Sequence, residues 1–219
     1  MIDCEELMMK YMMEIRQKTS LLHSAAEHSG YIKRMMDGEA TVLGYAEYLF
    51  NLHAMYQAIE EGLELHKEHP VVKDYVTPEL YKSKLIAYDL KYLFKEQLAS
   101  LELLSSTKVC VTRIKEVTET NPELLVAYAY TRFLADLFGG RTFKSLLNSK
   151  YKIEAEGLNY YTFENLGDVR TYVMNYHNKL DGIQLTEDMK QLLIHEICNT
   201  YIYNMAISQE LEAKLHPVA

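Results

Sequence analysis

Tyr130-Thr131-Arg132-Phe133-Leu134-Ala135-Asp136-Leu137-Phe138-Gly139-Gly140-Arg141 sets two adjacent glycines inside an otherwise helical pattern, one turn after a lone acid. Two glycines in a helix interior cost about 2 kcal/mol relative to alanine, so a chain that keeps both needs a compensating reason. Close approach of a flat ligand to bare backbone is one such reason. The other is purely structural: Gly139 ends one helix and Gly140 turns the chain before the Phe143, Leu146 and Leu147 stripe resumes. Taken alone, the segment leaves both open.

Outward from this segment, apolar residues recur at three- and four-residue spacing far more often than in alternation, and only Pro70, Pro78, Pro122 and Pro217 interrupt the pattern. The chain is expected to be all-α. Met8, Met12, Ile15, Leu22 and Ala26 mark a first helix, and one begun near Thr41 runs through Leu63. Thr77-Pro78-Glu79-Leu80 reads as an N-cap with proline just inside a third helix, and Val109 to Val117 belong to a fourth. Asn121-Pro122-Glu123 starts the fifth, which carries the glycine pair. Gly157 to Gly167 is loop-like and aromatic; Asp168 then opens a helix to about Leu180, and Thr186 caps a last one to about Leu215. No Pro/Gly/Ser-rich stretch divides the 219 residues, which are read as one domain, 1–219.

Three scattered cysteines, Cys4, Cys110 and Cys198, give neither a disulfide framework nor a CxxC metal site, and point to a reducing compartment. The acidic N-terminus lacks the basic start of a secretory signal, and no apolar run reaches the roughly 18 residues of a membrane span. A soluble cytoplasmic protein without a membrane anchor is expected. A formal charge of −8 opposes general nucleic-acid binding. Lys33, Arg34, Lys144, Lys150 and Lys152 are the candidates for a local basic patch that steers an acidic protein partner.

In the first helix His23 and Glu27 are four residues apart and share a face, which lets the carboxylate or a nearby backbone group orient the imidazole. Arg16, seven residues before His23, falls on nearly that face about 10 Å along the axis. Arg132 and Asp136 are likewise i,i+4 neighbours, an arrangement that by itself describes an ordinary surface ion pair. His28, His53, His66, His69, His195 and His216 read as surface or satisfied core histidines.

Together these residues resemble the heme oxygenase family. Thr19-Ser20-Leu21-Leu22-His23-Ser24-Ala25-Ala26-Glu27 is similar to its proximal-helix motif, Tyr56-Gln57-Ala58-Ile59-Glu60-Glu61 and His69-Pro70 to a second region, and Asn121 through Gly140 to its signature and distal helix. Tyr161-Thr162-Phe163-Glu164-Asn165 and Asn204 also fall in place, so the resemblance covers roughly residues 10 to 210.

The resemblance implies a single-domain helical bundle with heme between a proximal helix and a kinked distal helix. It implies oxygen-dependent degradation of heme b to biliverdin, CO and ferrous iron, with O₂ and electrons from NADPH through a reductase or a ferredoxin. By the same resemblance His23 is the axial metal ligand, supported by Glu27, while Gly139, Gly140 and Ala135 border the distal face. Asp136 holds the ordered water that supplies protons, with Tyr56, Arg132 and Asn204 in its network. Arg16, Tyr130 and His177 meet the heme carboxylates.

Several positions depart from the family pattern. Val173 and His177 stand where a lysine and an arginine are expected, and Ser20 replaces another basic residue, with Arg170 and Lys179 as possible substitutes. Ala135 stands where glycine is common and Cys110 where a network tyrosine is expected. These departures motivate a second reading, a non-catalytic heme-binding or heme-trafficking protein on the same scaffold. A third keeps the helical fold and assigns no heme.

Overall fold

In a computed structural model, residues 10–94, 100–164 and 166–217 are described; Cys4, Met8 and Asn165 lie outside them. The helical periodicity folds, among the described residues, into α1 (Tyr11–Glu27), α2 (Gly30–Asp37), α3 (Val42–Leu65), α4 (Ser83–Phe94), α5 (Ser105–Thr120), α6 (Leu125–Ser149), α7 (Val169–Asp181) and α8 (Glu187–Leu215). Thr41, Asp168 and Thr186 accept the N-terminal amide hydrogen bonds of α3, α7 and α8, as their positions predict.

Two expected starts shift. Thr77-Pro78 begins only a 3₁₀ turn, Pro78–Leu80, and Thr77 makes no cap. The helix begins at Ser83 because the buried Glu60 carboxylate of α3 reaches its open end, accepting from the amides of Lys82 and Ser83, the latter at 2.9 Å, and from the Ser83 hydroxyl. Pro122–Leu124 is likewise a 3₁₀ turn ahead of α6, without an Asn121 side-chain cap.

α2 is a helix that the periodicity does not reveal, because eight residues are too few to establish a pattern. It is bounded by Ser29 and by Gly38 in the left-handed conformation. Gly30 allows it to exist beside α8: its φ is +55°, and a Cβ there would sit 2.6 Å from the Ser208 carbonyl carbon. The Ser208 hydroxyl secures the same junction, donating to Ser29 O and accepting from the Ile32 amide, both at 3.0 Å.

The helices share one apolar core. α8 is the spine, packed against α1, α2, α5 and α6, while α3 lies against α4 and α5. α6 is buried nearly all round, from Leu125 through Leu134. A polar knot ties three of these helices together. Glu196 of α8 is 2% exposed and accepts from Arg113 of α5 at 3.2 and 2.9 Å and from the Tyr128 hydroxyl of α6 at 2.5 Å. Burial works to raise the Glu196 pKa, but the bonds from Arg113 and Tyr128 outweigh it and hold the carboxyl below its ordinary value.

A carboxyl depressed in the fold stabilises it above the unfolded-state pKa, and that contribution disappears as the pH falls through the folded value. Glu196→Gln is therefore expected to lower stability by about 2 kcal/mol at pH 7 in denaturant titrations. The gap to the unsubstituted protein should close as the pH drops below the ordinary glutamate value of 4.5. A gap that is constant with pH contradicts this account.

Candidate functional site

α1, α6, α7, α8, residues of α2 and α3, and the 3₁₀ segment Asn159–Tyr161 converge on a cavity of about 520 Å³. That volume lies within the about 300–1,000 Å³ of ordinary cofactor pockets. Arg16, His23, Glu27, Tyr130, Arg132, Ala135, Asp136, Gly139, Gly140, His177 and Asn204 all line it. Tyr56 does not; it stands behind the lining and reaches the cavity through Asp136.

On the α1 wall, His23 keeps 51% of its side chain exposed, as an imidazole that must meet a ligand requires. The Tyr201 ring of α8 meets it edge-on, centroids 5.6 Å apart at 84°. The Glu27 carboxylate lies 3.6 Å from Nε2, an ion-pair distance rather than a hydrogen bond. By contrast His66 bonds to Thr118 O at 2.8 Å, His28 to Ser24 O at 2.8 Å, and the His69 ring takes the Val71 amide at 3.3 Å.

On the α6 wall the Arg132 and Asp136 pair is not a surface ion pair: the residues are 9% and 6% exposed, and the closest approach, Arg132 Nη2 to Asp136 Oδ1, is 3.6 Å. Hydroxyls fill the gap. Tyr56 donates to Asp136 Oδ2, and Tyr160 donates to Oδ1 at 2.6 Å while accepting from Arg132 Nη2 at 3.1 Å. Arg132 Nη1 reaches Asn204 Oδ1 at 3.3 Å, joining α8 to the network. Arg132 Nε is buried without a partner.

Burial raises the Asp136 pKa above the ordinary aspartate value, opposed by the Arg132 charge, the two tyrosine hydrogen bonds and the Lys82 charge. Lys82 is itself pulled down to about 8 by burial, against the charges of Asp136 and Glu60. Tyr160, whose hydroxyl completes the network, is absent from the motif reading. Its only sequence signal is a place in the aromatic stretch after Gly157.

The glycine pair interrupts nothing, since α6 runs unbroken through it and neither residue has a positive φ. The cap-and-turn alternative is thereby overturned. Nor does protein packing demand both glycines. A Cβ on Gly139 would meet only the Phe143 ring, at 3.7 Å, and one on Gly140 would touch Tyr161 and Phe163 at 3.4 and 3.5 Å. Both Gly139 and Phe143 line the cavity, so the bare backbone of the glycine lets an occupant approach closely. Together with an accessible imidazole and an unpartnered guanidinium nitrogen, this fits a flat iron porphyrin.

At the rim, Arg16, Tyr130 and His177 gather from α1, α6 and α7. Burial raises the Tyr130 hydroxyl to about 12 against the opposing Arg16 charge. Burial, then Arg16, pushes the His177 pKa below its ordinary value, against the Asp181 charge. Ser20 also lines the cavity. Val173 is buried, Arg170 is exposed, and Lys179 is engaged with Asp74 O at 2.9 Å. Cys110 is buried on α5, its thiol pushed up to about 12 by desolvation.

Of the candidate basic patch, Lys33, Lys150 and Lys152 are exposed, and three members bond to groups of the same chain. Lys33 pairs with Asp37, Arg34 with Glu212 at 2.6 Å, and Lys150 donates to Asp37 O at 2.9 Å. Lys144 lines a separate depression with Arg141. No helix among the described residues is long and apolar enough to cross a membrane.

The heme oxygenase family model matches residues 9–210. A heme oxygenase of Porphyra purpurea is 34% identical over 204 residues, covering 92% of this chain and 86% of that protein. The structure of heme oxygenase from Leptospira interrogans superimposes with a TM-score of 0.87 at 31% identity, covering 92% of this chain and 100% of that one. That of heme oxygenase-1 from the cyanobacterium Synechocystis, in complex with heme, gives 0.89 at 26% identity and covers 94% of each. With the family pattern matched along most of its length and carried by this cavity, the chain belongs to the heme oxygenase family.

Proposed function

We propose that the chain degrades heme with O₂ to biliverdin, carbon monoxide and ferrous iron, heme being both substrate and cofactor, with electrons from NADPH through a reductase or a ferredoxin. The observation that carries this reading is the convergence of an accessible histidine and a buried, hydroxyl-linked Asp136 on one cavity floored by bare glycine backbone. Family membership supports it. When bound, heme supplies the iron at which oxygen is activated and the ring that is opened.

The residues divide the remaining work. His23 would hold the iron through an imidazole lone pair, with the Tyr201 ring edge-on against it and Glu27 alongside. Gly139 and Gly140 keep side chains away from the porphyrin face, and Ala135 adds one methyl beside them. Arg16, Tyr130 and His177 provide a guanidinium, a hydroxyl and an imidazole as partners for the carboxylates.

Asp136 holds its proton to higher pH than an exposed aspartate, because burial disfavours the anion. Its two oxygens accept from Tyr56 and Tyr160, but each keeps a further lone pair through which ordered water can be bound. Arg132, fixed by Tyr160 and Asn204, stabilises the carboxylate once the proton has left. Supply through water keeps the acid from acting directly on the reacting oxygen.

Purified protein loaded with heme and given an electron donor is expected to lose the heme absorption and form a bilin, and persistence of intact heme rejects the proposal. His23→Ala should abolish the native iron-ligation spectrum. Asp136→Asn should slow bilin formation about 100-fold while leaving heme affinity within about threefold, since a positioned acid contributes on that scale to the chemical step. Ala135→Gly is expected to change the rate or the bilin isomer; identical behaviour removes the extra methyl as a determinant.

A further inference from the structure

Asp89 is a fully buried acid that the proposed reaction does not use. It sits on α4 outside the cavity lining, and its partners are N–H groups of the 3₁₀ segment. Oδ1 accepts from the Asn159 amide and from Asn159 Nδ2, both at 2.8 Å, and Oδ2 accepts from the Tyr160 amide at 2.8 Å. A buried carboxylate is costly, and spending one on two consecutive backbone amides fixes the segment rather than the helix that carries it.

The other end of the segment is held from the same side. Lys82, just ahead of α4, donates to Thr162 O at 2.6 Å and lies over the Phe163 ring, 3.5 Å from its centroid. Between these two grips the Tyr160 hydroxyl enters the network and bridges the 3.6 Å gap between Arg132 and Asp136.

We infer that Tyr160, held by Asp89, is a positioning residue of the heme site: its hydroxyl fixes the Asp136 carboxyl against the Arg132 guanidinium and sets when Asp136 gives up its proton. The inference rests on the reading of Asp136 as the proton-supplying acid. Its neighbours are defined on every side. Arg132 faces Asp136 from α6, Tyr56 and Tyr48 from α3, Tyr160 and Tyr161 from the 3₁₀ segment, and Lys82 from ahead of α4. Tyr160→Phe deletes one donor to the carboxylate and one acceptor for the guanidinium while keeping the ring that packs 4.6 Å from Tyr161. Asp89→Asn replaces one of the two acceptor oxygens by an NH₂ donor, which then faces the N–H groups of Asn159 or the Tyr160 amide instead of accepting from them.

The test follows the Asp136 side-chain carboxyl by ¹³C NMR in the heme-free, full-length chain labelled at aspartate, its signal assigned by disappearance in Asp136→Asn. The hydrogen bond from Tyr160 favours the carboxylate, so its loss in Tyr160→Phe is expected to move the titration midpoint upward by about one pH unit. Asp89→Asn should move it in the same direction, and the double variant no further than the larger single shift, because both act through one hydroxyl. A purely structural role for Asp89 would lower the melting temperature and leave the midpoint in place.

A Tyr160→Phe midpoint equal to or below that of the unsubstituted protein overturns the inference. So does an Asp89→Asn shift that adds in full to that of Tyr160→Phe. Tyr160→Phe carries the test alone if Asp89→Asn does not fold. Heme binding without bilin formation by the unsubstituted protein would defeat the proposed function and leave this titration readable.

Discussion

The site depends on one electrostatic constraint: an arginine and an aspartate on successive turns of α6 are buried together with no direct hydrogen bond between them. A buried ion pair in tight contact neutralises itself and has little chemistry left to offer. Here Tyr56, Tyr160 and Asn204 take up the donors and acceptors that the pair would otherwise share, while burial, against those hydrogen bonds and the Arg132 charge, keeps the proton affinity of the carboxyl raised. These partners come from α3, the 3₁₀ segment and α8. The network can close only if all three elements are held against α6, which makes helix packing a condition of the chemistry.

That requirement explains the polar groups placed outside the cavity. Glu196 joins α5, α6 and α8 through Arg113 and Tyr128, and Tyr128 is one helical turn before Arg132. Glu60 fixes where α4 begins, and α4 in turn carries Asp89 to the 3₁₀ segment. Each is a buried acid satisfied by donors from a neighbouring element, and each restricts how one wall of the cavity moves relative to another. Apolar packing alone would tolerate sliding of these helices by fractions of an ångström; directional hydrogen bonds do not.

What the sequence makes legible follows from range. The caps at Thr41, Asp168 and Thr186 are interactions over three residues, and each marks its helix correctly. Thr77 fails as a helix start because the true cap, Glu60, lies more than twenty residues away in sequence. The cavity residues His23, Glu27, Arg16, Arg132, Asp136, Gly139 and Gly140 lie on two helices whose motifs are contiguous, and they do face one cavity. Tyr160 escapes because nothing local distinguishes it from the other seventeen tyrosines. Its role exists only once Asp89 and Asp136, from two separate helices, meet on either side of it. The departure at Cys110 has a matching resolution: a buried thiol that stays protonated offers no strong donor, and the hydroxyl that closes the network arrives from a different element.

The glycine pair connects these threads. In a continuous helix, Gly139 gains nothing within the protein from its missing side chain, because a Cβ there would make no clash with protein. Its conformational cost is therefore incurred in the free protein and offset only by an occupant that lies against the backbone. The adjacent Phe138 ring, 64% exposed on the cavity wall, fits the same logic, since a large apolar surface left open to water is stabilised by burial against another apolar face. Helix, glycines and aromatic wall are thus slightly unfavourable on their own account and favourable toward a planar hydrophobic ligand. That is the thermodynamic signature of a site shaped for binding rather than for stability.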